Sequence, residues 1–285
     1  MNTAPDLDAL RPWLDRQERV EETLSPIPMA ALAATLSLTE AMRPRDTLPP
    51  LWHWLHFLDR TPSDRLADDG SPRSRALLPP IPLEQVMWAG SELECVRPLA
   101  VGRPASRVSR ILDMTGKTGS RGPMVFVTHE HRIEQDGETA VIERNRAVFL
   151  GPAAPGGGAP AAVAEPPHAR RHAWAMNEAI LFRYSALTFN THRIHYDLAY
   201  ATQVGGYPGL VVHGPLQATL LAETFRMWHP ALRVRRIAFR ARAPLYCGAP
   251  VTVCGAAPAD GRHALWTLTP SGAPAMECEI TADAG

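Results

Sequence analysis

Apolar positions along this chain change period more than once, and each change marks an element. Residues 7–22 place Leu7, Leu10, Trp13, Leu14 and Val20 near one face of a charged helix, which Pro26 and Pro28 then interrupt. The run MAALAATLSLTEAM, Met29 to Met42, carries no charge before Glu40 and predicts a well-buried helix that Pro44 and Pro49-Pro50 stop. LWHWLHFL (51–58) is dense in aromatics, so His53 and His56 read as core histidines rather than ligands. Residues 60–80 hold Asp64, Asp68, Asp69, Gly70, Ser71 and Pro72 and predict a long surface loop, of the kind that forms lids or stays disordered. From Met87 to Leu150 apolar and polar residues alternate, with turns at KTGSRG (117–122) and QDGE (135–138), so this stretch predicts antiparallel strands.

GPAAPGGGAPAAVAEPPHA (151–169) is Pro, Gly and Ala with too few large apolar residues to build a core. It divides the chain into a first unit, 1–150, a linker, 151–169, and a second unit, 170–285. In the second unit HGPLQATLLAETFRMW (213–228) returns to helical spacing through Leu216, Leu220, Leu221, Ala222 and Phe225. Three strand-like runs follow it. Both units thus repeat one plan, a buried helix and then antiparallel strands, which points to an α+β protein with a diverged internal duplication.

Lys plus Arg equals Asp plus Glu, 29 each, so no net field argues for nucleic acid or an anionic membrane. Arg233, Arg235, Arg236, Arg240 and Arg242 cluster late in the chain, either as a solvated strand edge or as a phosphate cradle. Cys95, Cys247, Cys254 and Cys278 fall at no metal-ligand spacing. The charged first residues lack a secretory apolar region, and no stretch is apolar enough to span a bilayer. A reduced, cytoplasmic protein is therefore expected. His129 and His131 share a strand face, but no third ligand lies near them in sequence, so no metal site is expected.

The stretch from Tyr184 to Leu221 gathers the chemistry. Asn190, His192, His195 and His213 crowd around turn-forming glycines immediately before an apolar helix, the arrangement of a built site. G-x-S-x-G elbows, Walker or dinucleotide glycine loops and HExxH are all absent from the sequence.

FNTHRIHYD followed by YPGLVVHGPL resembles the hydratase block of MaoC-like hot-dog enzymes. The resemblance is nearest to the double-hot-dog hydratases acting on mesaconyl-C4-CoA, 3-methylfumaryl-CoA or itaconyl-CoA. LPPLWHWLHF, PLEQVMWAGSEL and KTGSRGPMVFVTHEH are similar to the N-terminal, dehydratase-like half of that family. The resemblance implies a double hot-dog, two antiparallel sheets each wrapped on a central helix, with a non-catalytic first half shaping the acyl pocket. In the broad family a loop Asp and a His five residues later form the catalytic dyad; here the His falls on His195 and the Asp position on Asn190. The neighbouring branch commonly carries Asn there. The family's oxyanion donor, a backbone N–H just after a His at the helix start, maps onto Gly214.

Hydration of an enoyl thioester needs an oxyanion donor, a group of near-neutral pKa to move one proton, and something that holds the water. Gly214, His195 and Asn190 fill those three places, although an amide cannot itself act as general base. Tyr184, His192, His213, Arg183 and Arg240 complete the expected substrate-binding set, with His213 bracing the turn and Tyr184 or Asp197 holding the tautomer of His195. Arg73, Arg75, Arg110 or Arg183 could meet a distal carboxylate. The implied partner is a CoA thioester, with no cofactor beyond the CoA of the substrate. A compact monomer and a homodimer both remain open. The competing readings are a 3-hydroxyacyl thioester dehydratase of fatty-acid metabolism and a non-catalytic acyl-CoA-binding module.

Overall fold

The computed structural model describes residues 6–38, 46–74, 76–83, 85–119, 122–151 and 165–284. The first half contributes β1 (Gln17–Thr23), α1 (Pro26–Thr35), β2 (Gln85–Cys95), β3 (Pro104–Gly119), β4 (Gly122–Gln135) and β5 (Glu138–Leu150). The second contributes β6 (Arg170–Trp174), α2 (Glu178–Leu187), α3 (Leu198–Gln203), α4 (Gly214–Trp228), β7 (Leu232–Ala241), β8 (Val251–Gly255), β9 (Arg262–Leu268) and β10 (Pro274–Ala284). Most of the Pro/Gly/Ala stretch, residues 152–164, and Arg75 lie outside the described residues.

The strands form one ten-stranded sheet in the order β1-β3-β4-β5-β2-β7-β10-β9-β8-β6. Read outward from the centre, each half runs second, fifth, fourth, third, first strand, so a single topology occurs twice. The expected two sheets are therefore joined: β2 and β7 pair antiparallel from Gly90↔Arg240 to Glu94↔Arg236. One apolar core runs beneath this join, from Leu24, Met29, Leu93 and Ile133 through Leu216, Leu220 and Phe225 to Ile237 and Ile280. That is the double hot-dog, with its two halves sharing one sheet.

Two helical expectations give way. Residues 17–23 form a strand, not the second half of a helix, and pair with Pro104–Arg110 at the sheet edge. Pro12 denies a continuous helix, and the alternation around Val20 suits a strand with one face covered. Pro26 and Pro28 open α1 rather than interrupting a helix, because first-turn N–H groups have no helical partner to lose, and Ser25 Oγ accepts from Ile27 N–H at 3.2 Å. That helix ends at Thr35, short of Met42, with Ser37 at φ +55°.

The central helix is thus unequal between halves. α4 is 15 residues long, and its Leu216–Phe225 run is buried throughout. In its place the first half has α1 and the 51–57 segment, which packs as core. Trp52 donates from Nε1 to Glu223 Oε1 of α4 at 2.8 Å. His53 and His56 are buried and hydrogen-bonded to Glu143 and Glu22, each at 2.8 Å. Among the described residues no helix is long and apolar enough to cross a membrane.

Candidate active site

The loop after α2 is built by its own backbone bonds. Asn190 N–H donates to Ser185 O at 2.8 Å and Phe189 N–H to Ala186 O at 3.3 Å, closing the helix with Phe189 in the left-handed region at φ +52°. Asn190 Oδ1 then accepts from His192 N–H at 3.0 Å. Asp197 caps α3 through Tyr200 N–H at 3.0 Å and pairs with Arg193 at 2.8 Å. Between these anchors Arg193–His195 make one tight turn.

That turn is tied to the segment leading into α4. Val211 N–H donates to Ile194 O at 2.9 Å, and His195 Nδ1 lies 2.8 Å from Val211 O. A carbonyl only accepts, so Nδ1 carries the hydrogen and Nε2 keeps its lone pair. His195 is 8% exposed, and burial pushes it down to about 4, against the Val211 bond and with His192. Its imidazole is a neutral base with the basic nitrogen free of backbone. The ring stacks on His213, centroids 3.7 Å apart and 18° between planes. His213 is fully buried and bonds Ser185 Oγ through Nε2 at 2.8 Å; burial, then His195 and His192, hold it well below the ordinary value.

Gly214 follows as the first residue of α4. His213 makes no side-chain cap, and Pro215 has no N–H to offer. The N–H of Gly214 therefore belongs to the helix's unbonded first turn, at the positive end of its dipole. Trp88 of β2 closes over it: a Cβ on Gly214 would sit 2.9 Å from Trp88 Cε3 and 3.0 Å from Cζ3. Trp88 in turn packs on Phe239 at 4.9 Å and edge-on to Trp54 at 6.2 Å. The site thus has one wall from each half.

The structure brings His195, His213, Gly214 and Tyr184 together and revises several roles. Tyr184 is buried with its ring centroid 5.0 Å from that of His213, so it braces the His213 ring; the Val211 carbonyl, not Tyr184 or Asp197, holds the tautomer of His195. The Asn190 side-chain carbonyl is engaged by the His192 N–H, so only its NH₂ remains to meet a ligand. His192 is half-exposed, edge-on to His195 at 5.6 Å, and 3.8 Å from Asp69 of the first half. Arg240 is on the opposite face of β7 from buried Phe239, because alternate residues of a strand point oppositely; it is not brought to the site. Its neighbours Arg235, Arg236 and Arg242 form ion pairs with Asp283, Glu92 and Glu277 rather than a cradle. Arg110 is engaged by Glu130 at 2.9 Å, and Arg73 by Leu66 O at 2.8 Å, which leaves Arg183, exposed beside Tyr184, of the described candidates for a distal carboxylate.

His129 and His131 do share a face, stacked 6.3 Å apart, but their nitrogens face Leu77 O, Ser109 and Asn145. Among the described residues Glu165, His168 and Cys254 place three ligand-type atoms within 4.8 Å of one another. Burial pushes the Cys254 thiol up to about 11, and Arg171 lies 3.7 Å from Glu165. Sequence reasoning missed Trp88, Val211 and Ser185 and read the 68–71 segment only as part of a long surface loop of the kind that forms lids or stays disordered. Only the last left a signal, in its Asp-Asp-Gly-Ser turn composition.

Against known proteins, residues 51–247 match the family model for hydroxyacyl-thioester dehydratase type 2. The chain is 41% identical over 271 residues to mesaconyl-C(4)-CoA hydratase of Chloroflexus aurantiacus, covering 94% of this chain and 96% of that one. It is 39% identical over 88 residues, 30% of this chain and 29% of the other, to the mitochondrial hydroxyacyl-thioester dehydratase type 2 of Schizosaccharomyces pombe. Among solved structures, a MaoC-like dehydratase from Phytophthora capsici superposes with TM-score 0.70 at 12% identity, covering 98% of this chain and 99% of that one. HtdX of Mycobacterium tuberculosis gives 0.63 at 18%, covering 94% and 100%; these two likenesses speak to fold alone. With identity sustained across nearly all of both chains and a family model matched over most of this one, the protein belongs to the hydroxyacyl-thioester dehydratase type 2 family.

Proposed function

We propose that this protein adds water to the double bond of an enoyl-CoA, and catalyses the reverse elimination. The substrate class is a short branched dicarboxylic acyl group such as mesaconyl-C4-CoA, 3-methylfumaryl-CoA or itaconyl-CoA. The observation that carries the reading is the Val211–Gly214 segment, which fixes a neutral, correctly tautomerised His195 and an unbonded helix-start N–H within one short stretch of backbone. The 41% identity to mesaconyl-C(4)-CoA hydratase supports the substrate class.

In this reading His195 Nε2 takes a proton from water as its oxygen bonds to the β-carbon. The π electrons move onto the thioester oxygen, and Gly214 N–H donates a hydrogen bond to that oxyanion. The imidazolium then returns the proton to the α-carbon, so H and OH add to one face. Burial keeps His195 neutral and able to take the proton, but holds it at about 4, below the near-neutral value that the sequence implied, so the imidazolium needs stabilising as it forms. Asn190 NH₂ holds the water or substrate. Both walls come from one chain, so a monomer is sufficient for the site.

His195→Gln should lower hydration at least ~100-fold, the usual worth of a general acid–base group. Near-normal rates would overturn the reading. A panel of enoyl-CoAs differing in length and distal charge separates it from long-chain 3-hydroxyacyl dehydration and from binding without turnover. Arg183→Met should raise KM for mesaconyl-C4-CoA while sparing crotonyl-CoA; equal loss on both would remove Arg183 from carboxylate recognition.

A further inference from the structure

Proton transfer to His195 creates a positive charge in a buried place, and among the described residues of its own loop no carboxylate is free to meet it. Asn190 is uncharged, and Asp197, the carboxylate on the same loop, is engaged by Arg193 at 2.8 Å and by the first turn of α3. The 68–71 segment of the first half reaches this point. Asp69 Oδ1 accepts from Ser71 N–H at 2.8 Å and Ser71 Oγ at 2.6 Å, which turns Oδ2 toward His192 Nε2 at 3.8 Å. His192 stands edge-on between Asp69 and His195.

The two loops are clasped at these same residues. Arg193 N–H donates to Asp69 O at 2.8 Å, Arg193 Nη1 to Asp68 O at 2.9 Å, and Thr191 Oγ1 to Gly70 O at 2.5 Å. Gly70, at φ +82°, lies so close that a Cβ there would be 1.9 Å from Thr191 O. This approach requires glycine.

From this geometry we infer that Asp69, a residue of the first half, supplies the negative charge absent at position 190 and stabilises the His195 imidazolium through His192. Asp69 and His192 are positioning residues in this arrangement; neither needs to touch the reacting atoms. The titratable groups in contact or charge interaction with His192 are Asp69 from the first half, His195 from its own loop and His213 from the start of α4, while Arg193 and Asp197 of that loop are paired with each other. Burial acts upward on the Asp69 carboxyl, but its Ser71 bonds and His192 outweigh that and hold it ionised. The inference rests on the hydratase reading above.

Asp69→Asn keeps the oxygen that bonds Ser71 and removes the charge alone. It should lower kcat about tenfold with KM little changed, the order of effect for a charge one side chain away in a partly screened site. The acid limb of kcat/KM should move to lower pH, because losing Asp69 makes both imidazoles easier to deprotonate. Measured against Asn190→Asp alone, which loses the Asn190 NH₂ whatever stands at position 69, the added Asp69→Asn should cost little further kcat, because a carboxylate from the other half already supplies the charge; a merely structural role for Asp69 would cost as much in either background. Wild-type kcat with an unshifted limb in Asp69→Asn, or an undiminished loss from Asp69→Asn in the Asn190→Asp background, overturns the inference. His195→Gln separates the two readings: if it is inactive while Asp69→Asn is normal, only this inference fails.

Discussion

Gly214→Ala is the smallest change that should damage the site, and its cost can be worked from the contact with Trp88. The added methyl would lie 2.9 and 3.0 Å from two carbons of the indole, several tenths of an ångström inside an ordinary contact. Trp88 has little room to yield, since Phe239 is 4.9 Å away and Trp54 6.2 Å. Overpacking of this kind costs about 1–3 kcal/mol. At about 2.1 cal/mol/K per residue over 285 residues, unfolding entropy is about 0.6 kcal/mol/K, so Tm should fall by only about 2–5 °C. Activity should suffer more. Moving an oxyanion donor by a fraction of an ångström to 1 Å is worth about 10- to 100-fold in rate. Loss of enoyl absorbance at 25 °C with mesaconyl-C4-CoA measures it, and Trp88→Phe, which removes the outer indole carbons, should restore part of the rate in the double variant. Full activity in Gly214→Ala, or no coupling between the two substitutions, would refute the account of how the halves meet at this glycine.

Two further outcomes follow from buried groups. Trp52→Phe removes the 2.8 Å donor to Glu223, a carboxylate 2% exposed that, among the described residues, keeps only Arg226; about 1–3 kcal/mol should be lost in urea unfolding with the m-value unchanged. Stability should also fall on acidification in two windows. His195, depressed by burial to about 4 from its ordinary 6.5, leaves the folded chain binding fewer protons than the unfolded one between those values, so its contribution is full above about 6.5 and declines toward 4. Burial acts upward on Glu143, yet the His53 bond and charge hold it at about 2 against an ordinary 4.5, so its share is lost between about 4.5 and 2. Urea midpoints at pH 7.5, 6.0 and 5.0 should fall less steeply in His195→Gln, by at most ~1.4 kcal/mol per pH unit; an unchanged slope would contradict a buried neutral His195.

Much of the second half was legible because its signals are local. A helix start at His-Gly-Pro, an apolar stripe from Leu216 to Phe225 and a loop with fixed His and Asn spacing each need only a few neighbouring residues. The duplication was legible as a repeated element order, whereas fusion of the two sheets depends on β2 meeting β7 across some 140 residues of chain, which no local pattern encodes. Residues 17–23 misled because a charged edge strand with one covered face has few apolar positions to count, and its partner, β3, lies far along the chain. Arg240 misled differently: composition placed it in a basic cluster, and only strand register assigns its face. Asp69 and Trp88 reach the site through tertiary packing alone.

The reading of one imidazole serving as both base and acid has a stereochemical consequence that one measurement addresses. Hydration of crotonyl-CoA in D₂O, with the product's C2–C3 proton coupling read by NMR, should show deuterium and hydroxyl added to one face, since a single nitrogen takes the proton from water and returns it beside the new C–O bond. Addition to opposite faces would require a second proton carrier across the acyl plane and would contradict the assignment of both steps to His195.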